Sequence, residues 1–310
     1  MKKIISAFFF LLSLSGIAQE EKFTSQEVNL DPYIKGTLIN PTSSEVTPLV
    51  IILQGSGPTD RHGNQSFMKN DALKKLSSSL AERGISTYRY DKRIMQMQQL
   101  RIKEQDIRFD DFITDAVSVL DHFEEDERFN KLIVLGHSQG SLVGMVAARE
   151  RADGFISLAG VAQPIDSILI GQITNQMPGL RDNVEQAFQE MRDSGSTSSY
   201  NPVLESIFRP SVQPFILSWM EFEPKEEIAK LEIPVLIING SKDLQVEEAE
   251  AQALKAARPN SDLVILKDMN HVLRKIEGDD LENSKSYNEA HRPLHPELID
   301  ILVNFINGVE

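Results

Sequence analysis

The residues with the most to say about chemistry are Gly136-His137-Ser138-Gln139-Gly140, a G-x-S-x-G pentapeptide that follows the apolar run 132–135 and leads into a helical pattern over 139–150. A serine on such a strand-to-helix turn sits in strained backbone geometry that exposes its hydroxyl, and the flanking glycines let strand and helix approach each other. Ser138 is therefore the expected nucleophile. The amino end of the following helix also lets the Gln139 amide donate to a developing oxyanion.

A serine hydroxyl needs a base to take its proton, and the base needs a carboxylate to orient it. After a serine of this kind the chain order is acid and then histidine, which leaves His271, His291 and His295 as bases. His271 follows the last apolar run by a short loop and is the expected base; His291 and His295 flank Pro293 and Pro296 and read as structural. Asp243 ends the run 235–238 and is the expected acid, with Asp268 as its rival and Asp262 as a turn residue. His122 and His137 have no evident route to the hydroxyl, and His62 lies in a loop, where its one functional use would be contact with substrate. The loop Gln54-Gly55-Ser56-Gly57-Pro58 supplies a second oxyanion donor in the amide of Ser56, since its glycines allow close approach of backbone to substrate. It lacks the Lys-Ser/Thr ending of a phosphate-binding loop.

The elements that must hold these residues follow from periodicity. Two alternating segments, 23–30 and 33–39, bounded by Asp31-Pro32 and Asn40-Pro41, read as an antiparallel hairpin. Continuous apolar runs at 49–53, 132–135, 155–158, 235–238 and 263–266, with a weaker one at 85–90, read as strands buried on both faces. Helical patterns at 71–83, 109–123, 139–150, 247–257 and 296–307 separate them, so the fold class is α/β with a doubly wound, mostly parallel sheet. Residues 164–229 have no convincing strand and read as a helical cap between core segments 19–163 and 230–310, with a mobile Ser/Gly-rich loop near Ser194. The cap aromatics Phe215 and Trp219 are candidates for lining a substrate pocket.

Composition removes whole classes of function. With no cysteine among 310 residues, thiol catalysis, zinc–thiolate sites and disulfide scaffolds are excluded. A formal charge of -14 argues against nucleic acid and anionic membrane surfaces. Met1-Lys2-Lys3, an apolar stretch and the small residues Gly16 and Ala18 form the parts of a secretory signal, with cleavage expected after Ala18. The run is shorter than the ~20 residues that span a bilayer. Export to the periplasm or beyond is expected, with residues 1–18 removed and no stable membrane insertion afterwards.

Several segments together resemble the α/β-hydrolase superfamily, and within it exported bacterial serine esterases of the serine aminopeptidase-like group: Gly55-Ser56-Gly57-Pro58-Thr59-Asp60-Arg61 with Gly63-Asn64, Tyr90-Asp91-Lys92-Arg93, Gly136-His137-Ser138-Gln139-Gly140-Ser141-Leu142, Asp243-Leu244-Gln245-Val246 and Met269-Asn270-His271-Val272-Leu273. The resemblance implies Ser138, Asp243 and His271 as a triad, the Ser56 and Gln139 amides as an oxyanion hole, no metal or organic cofactor, and a small carboxylic ester with a short acyl chain as substrate. The chain departs from that group at 94–100, where a glycine-rich turn is replaced by Ile94-Met95-Gln96-Met97-Gln98-Gln99-Leu100, which puts substrate range in question. A serine aminopeptidase or amidase with the same triad is the alternative, for which Glu221 and Glu223 would receive a free amino terminus. A non-catalytic binding protein on the same fold is the remote one.

Overall fold

Alternate residues of the central strands enter two different apolar cores. Leu49, Ile51 and Leu53 belong to one core and Val50 and Ile52 to the other; the same division recurs for Leu132 and Val134 against Ile133 and Leu135, and for Val235 and Ile237 against Leu236 and Ile238. Successive side chains of a strand point to opposite faces, so a run with no polar residue requires a cover on both. Each buried Ile or Leu contributes roughly 1.5–3 kcal/mol relative to exposure.

The computed structural model describes residues 22–310, and the expected signal segment 1–18 lies outside them. In chain order the elements are β1 (Phe23–Asn29), β2 (Lys35–Pro41), β3 (Thr47–Leu53), α1 (Ala72–Ala81), β4 (Ser86–Tyr90), α2 (Met97–Leu100), α3 (Phe109–Phe123), β5 (Phe129–His137) and α4 (Gln139–Ala147). They continue with β6 (Gly154–Leu158), α5 (Ile165–Gln176), α6 (Arg181–Ser194), α7 (Glu205–Phe208), α8 (Gln213–Met220), α9 (Pro224–Ala229), β7 (Val235–Gly240), α10 (Glu248–Ala257), β8 (Asp262–Leu266), α11 (Asp280–Ser286) and α12 (Leu298–Gly308). The eight strands form one sheet in the order β1-β2-β4-β3-β5-β6-β7-β8. β1 and β2 pair antiparallel, β2 meets β4 antiparallel, and all later pairings are parallel.

One face is covered by α1 and α12 through Leu73, Leu76, Leu80, Leu302 and Ile306. The other is covered by α3, α4 and α10 through Phe109, Leu120, Met145 and Leu254, and the buried side chains of α6 to α8, among them Phe188, Met191, Phe208 and Trp219, join that same core. The helical segment between β6 and β7 thus shares its apolar interior with the sheet. Among the described residues no helix is long and apolar enough to cross a membrane.

One local expectation is met by an unusual strand and another changes. The weak strand signal at 85–90 arises because β4 is fully buried yet polar: Thr87 pairs with Ser77, and Arg89 donates to the Arg61 carbonyl at 3.1 Å and to His62 Nδ1 at 2.9 Å. The turn near Ser194 is tied down. Gly195 closes α6 at φ 78°, the Thr197 amide donates to Gln213 Oε1 at 2.9 Å, Gln213 Nε2 donates back to the Thr197 carbonyl at 2.8 Å, and Thr197 Oγ1 reaches Glu190 at 2.6 Å. A Ser/Gly composition says nothing about the distant glutamine that holds it.

Candidate active site

Because β3 to β8 run parallel, their carboxyl ends share one edge, where ligands of open α/β sheets bind. Ser138 stands there between β5 and α4 with φ 54° and ψ -120°. Such left-handed backbone costs a non-glycine residue about 1–3 kcal/mol and persists only where the surroundings enforce it. A Cβ on Gly136 would lie 2.2 Å from the Gly140 carbonyl, and one on Gly140 would lie 2.5 Å from the Leu53 carbonyl. Only glycine at both positions lets α4 sit this close to the strand ends. The Ser138 amide then donates to the Leu158 carbonyl at 2.9 Å, anchoring the turn on β6.

His271 and Asp243 meet as the sequence suggested. His271 Nδ1 lies 2.8 Å from Asp243 Oδ2, and both side chains are nearly inaccessible. A carboxylate can only accept, so Nδ1 carries a proton, and in the neutral form of the ring the lone pair lies on Nε2. Asp243 Oδ1 also accepts from the amides of Gln245 at 2.8 Å and Val246 at 2.9 Å, which fixes the carboxylate. The rival Asp268 is not the carboxylate bonded to His271; its main-chain amide donates to Ser241 Oγ at 2.8 Å. His271 and Ser138 line one cavity of about 60 Å³ without a direct hydrogen bond, a contact that commonly tightens only when substrate is bound.

The other histidines separate by partner. His295 Nε2 donates to the Lys267 carbonyl at 3.0 Å and is buried, which is a structural role. His291 is exposed. His62 accepts from Arg89 in a groove that also holds Arg61 and Asp91, away from Ser138. His122 packs edge-on against Phe123. His137 is closer to the chemistry than its sequence position suggested: its Nε2 donates to the main-chain carbonyl of His271 at 2.9 Å. Burial, with the neighbouring His271 adding to it, pulls the His137 ring down to about 3, so it stays neutral.

The Ser56 and Gln139 amides, expected as oxyanion donors, flank Ser138; neither donates to a protein acceptor among the described residues. The residue that orients them had no role in the sequence reading. Lys92 Nζ, buried beyond β4, donates to the Gly55 carbonyl, to Gln139 Oε1 at 2.7 Å and to the Gly57 carbonyl at 3.4 Å, with the Phe112 ring 5.0 Å away. In a trans peptide the carbonyl and the following N–H point in opposite directions. Drawing the Gly55 carbonyl inward therefore turns the Ser56 N–H outward, toward the cavity. The loop is further held by Gln54 Nε2 on the Tyr90 carbonyl and by Thr59 and Gln65 on the Ser56 carbonyl. Among the described residues no carboxylate pairs with the lysine, and burial pulls it from an ordinary 10.5 down to about 7. The available signal was the position of Lys92 two residues past β4, in the segment Tyr90-Asp91-Lys92-Arg93.

A second cavity, about 620 Å³, also reaches Ser138. Phe215 and Trp219 line it, as do Ile94 and Met97 from the divergent 94–100 segment. The same aromatics pack the roof to the core, with Trp219 stacked on Phe109 at 5.3 Å and Phe215 at 5.5 Å from Phe112. Glu104 is the one carboxylate in this lining among the described residues, and it is bound by Arg209 Nε at 3.0 Å and by Ser211. The Arg209 hydrogen bond holds its carboxyl below the usual glutamate range. Glu221 and Glu223 do not reach the cavity. Among the described residues no cluster of three or more His, Asp or Glu is placed to hold a metal ion.

Comparison with known proteins agrees with this architecture. Esterase EstD of Thermotoga maritima is 27% identical over 277 residues, covering 83% of this chain and 62% of that protein, so the chain spans less than two thirds of its relative's length. Among solved structures, Est1E from Butyrivibrio proteoclasticus superposes with a TM-score of 0.55 at 18% identity, covering 91% of this chain and 95% of that one. Pyrococcus horikoshii acylaminoacyl peptidase gives 0.57 at 14% identity, covering 94% of this chain and 42% of that one. These likenesses carry the α/β-hydrolase fold. The family model described as serine aminopeptidase, S33, matches residues 68–275, a span that includes the strained serine, Asp243 and His271. The chain belongs to that α/β-hydrolase family.

Proposed function

We propose that the protein hydrolyses carboxylic esters through an acyl-enzyme on Ser138. The carrying observation is the strained Ser138 facing a cavity shared with His271, whose Nδ1 is bonded to Asp243 at 2.8 Å. His271 Nε2 takes the Ser138 proton as Oγ bonds to the ester carbon, and the carbonyl oxygen becomes an oxyanion held by the Ser56 and Gln139 amides. The carbon–alkoxy bond then breaks, and the proton on Nε2 passes to the leaving alkoxide. Water, deprotonated by the same nitrogen, releases the acid and regenerates Ser138. Lys92 acts as a positioning residue by setting the Gly55–Ser56 peptide, and one oxyanion donor is worth roughly 3 kcal/mol of transition-state stabilisation. No step calls on a cofactor.

An aminopeptidase needs a spare carboxylate for the substrate's ammonium group, and the cavity's single acid, Glu104, is already engaged by Arg209. That favours esters over free amino termini. Segment 164–229 serves as the cap over the site, and residues 1–18 as an export signal; recovery of a chain beginning at Gln19 from a secreting host checks the latter. The primary test is Ser138→Ala: turnover of a p-nitrophenyl acyl ester is expected to vanish while the circular dichroism spectrum is unchanged, and retained turnover overturns the assignment. Wild-type protein is expected to prefer that ester to an amino-acyl anilide.

A further inference from the structure

The two cavities at Ser138 are unequal, and the unequal placing of two residues gives them separate duties. The larger, about 620 Å³, is bounded by Ile94 and Met97 on one side and by Ile168, Leu169, Val212 and Phe215 on the other. The smaller, about 60 Å³, is closed by Met68, Leu73, His137 and Val272. Ser56, Ser138 and Gln245 belong to both, His271 lines only the smaller, and Gln139 lines only the larger.

An ester carbon attacked by Ser138 carries three other groups that must go three ways. The oxygen turns to the Ser56 and Gln139 amides. The alkoxy oxygen must lie beside His271, because the proton it leaves with comes from Nε2. The acyl substituent takes the direction that remains, which is the large chamber. We infer that the protein's substrates are esters of medium-length or bulky apolar carboxylic acids with small alcohols, the acyl group occupying the chamber under α5 and α8 and the alkoxy group the pocket beside His271. The inference rests on the serine-esterase reading and replaces the short acyl chain that the sequence resemblance implied. A short acyl group would leave most of the chamber's apolar wall uncovered, whereas each added methylene buried there strengthens binding by up to about fourfold.

Constitutional isomers test the partition with hydrophobicity and atom count held equal. Methyl octanoate and heptyl acetate exchange the long chain between acyl and alkoxy sides, and pH-stat titration of the released acid reads both without a chromophore. Methyl octanoate is expected to have the higher kcat/KM by about tenfold or more. Equal values, or a preference for heptyl acetate, overturn the partition. If Ser138→Ala abolishes hydrolysis of both isomers while their ratio is near one, the esterase reading stands and the partition alone falls; if neither isomer is hydrolysed, both fall. Leu169→Trp, which fills part of the chamber, should shrink the ratio several-fold. Because the ratio is taken within one preparation, a change in the amount of folded protein cancels, and an unchanged ratio in that variant counts against the chamber as the acyl site.

Discussion

At the strand ends, the groups that position the site are held by directional bonds while the Ser56 and Gln139 amides stay open to the cavity: Asp243 accepts from His271 and two amides, His137 holds the His271 carbonyl, and Lys92 joins the Gly55 and Gly57 carbonyls to Gln139. Across the chamber the helical wall is apolar and is tied to the core mainly by stacked rings, by Ser218 accepting from the Phe109 amide at 2.8 Å, and by the Arg209–Glu104 pair. One wall is fixed by directional bonds with few alternatives; the other is fixed by area, which many side chains can supply. Reaction type belongs to the first wall and substrate range to the second.

Substitutions on the two walls should therefore fail in different ways. Asp243→Asn, which offers the wrong hydrogen-bonding partner to His271 Nδ1, is expected to lower kcat by about ten-thousand-fold with little change in thermal midpoint; a loss below tenfold would break the comparison. Phe109→Ala removes the ring on which Trp219 stacks and should cost roughly 3–5 kcal/mol in urea unfolding, while kcat for methyl acetate falls far less than in the first variant. Lys92→Met should reduce kcat/KM by about 10–100-fold, mostly through kcat, since misplaced oxyanion donors weaken the transition state more than the ground state. Arg209→Ala, breaking a partly exposed ion pair, is expected to cost less than about 1 kcal/mol of stability.

Lys92 also gives the polar wall a pH dependence. Its ammonium has three protons for three acceptors below about 7, and the neutral amine above that has two. A component of kcat/KM should accordingly be lost as pH rises through about 7 and be missing from Lys92→Met. Stability moves in the opposite direction. The unfolded chain holds this proton up to about 10.5 and the folded one releases it near 7, so folding gains from this group as pH rises between those values.

What could be read from the sequence divides along the same line. The elbow at Ser138 depends on five consecutive residues, and the strand-end positions of Asp243 and His271 depend on runs that carry their own signature. Both were legible. Lys92 was not, because its role arises where loops 55–57 and 139, far apart in the chain, converge on one amine. The chamber was legible at Phe215, Trp219 and the divergent 94–100 segment and not along its helical wall: Leu169 and Val212 face it while Val184 and Phe188 lie in the core, and nothing in residue type separates them. The polar strand β4 was faint for a related reason, since Arg89 finds its partners in the 61–62 segment.

The bond from the His137 ring to the His271 carbonyl spans 134 positions of the chain. A polypeptide emerging during synthesis has its serine in place long before the strand ends that deliver the base exist. With His271 as the base, the nascent chain is hydrolytically silent until β7, β8 and the loop bearing that histidine have docked, so the order of synthesis itself withholds activity from an unfinished molecule.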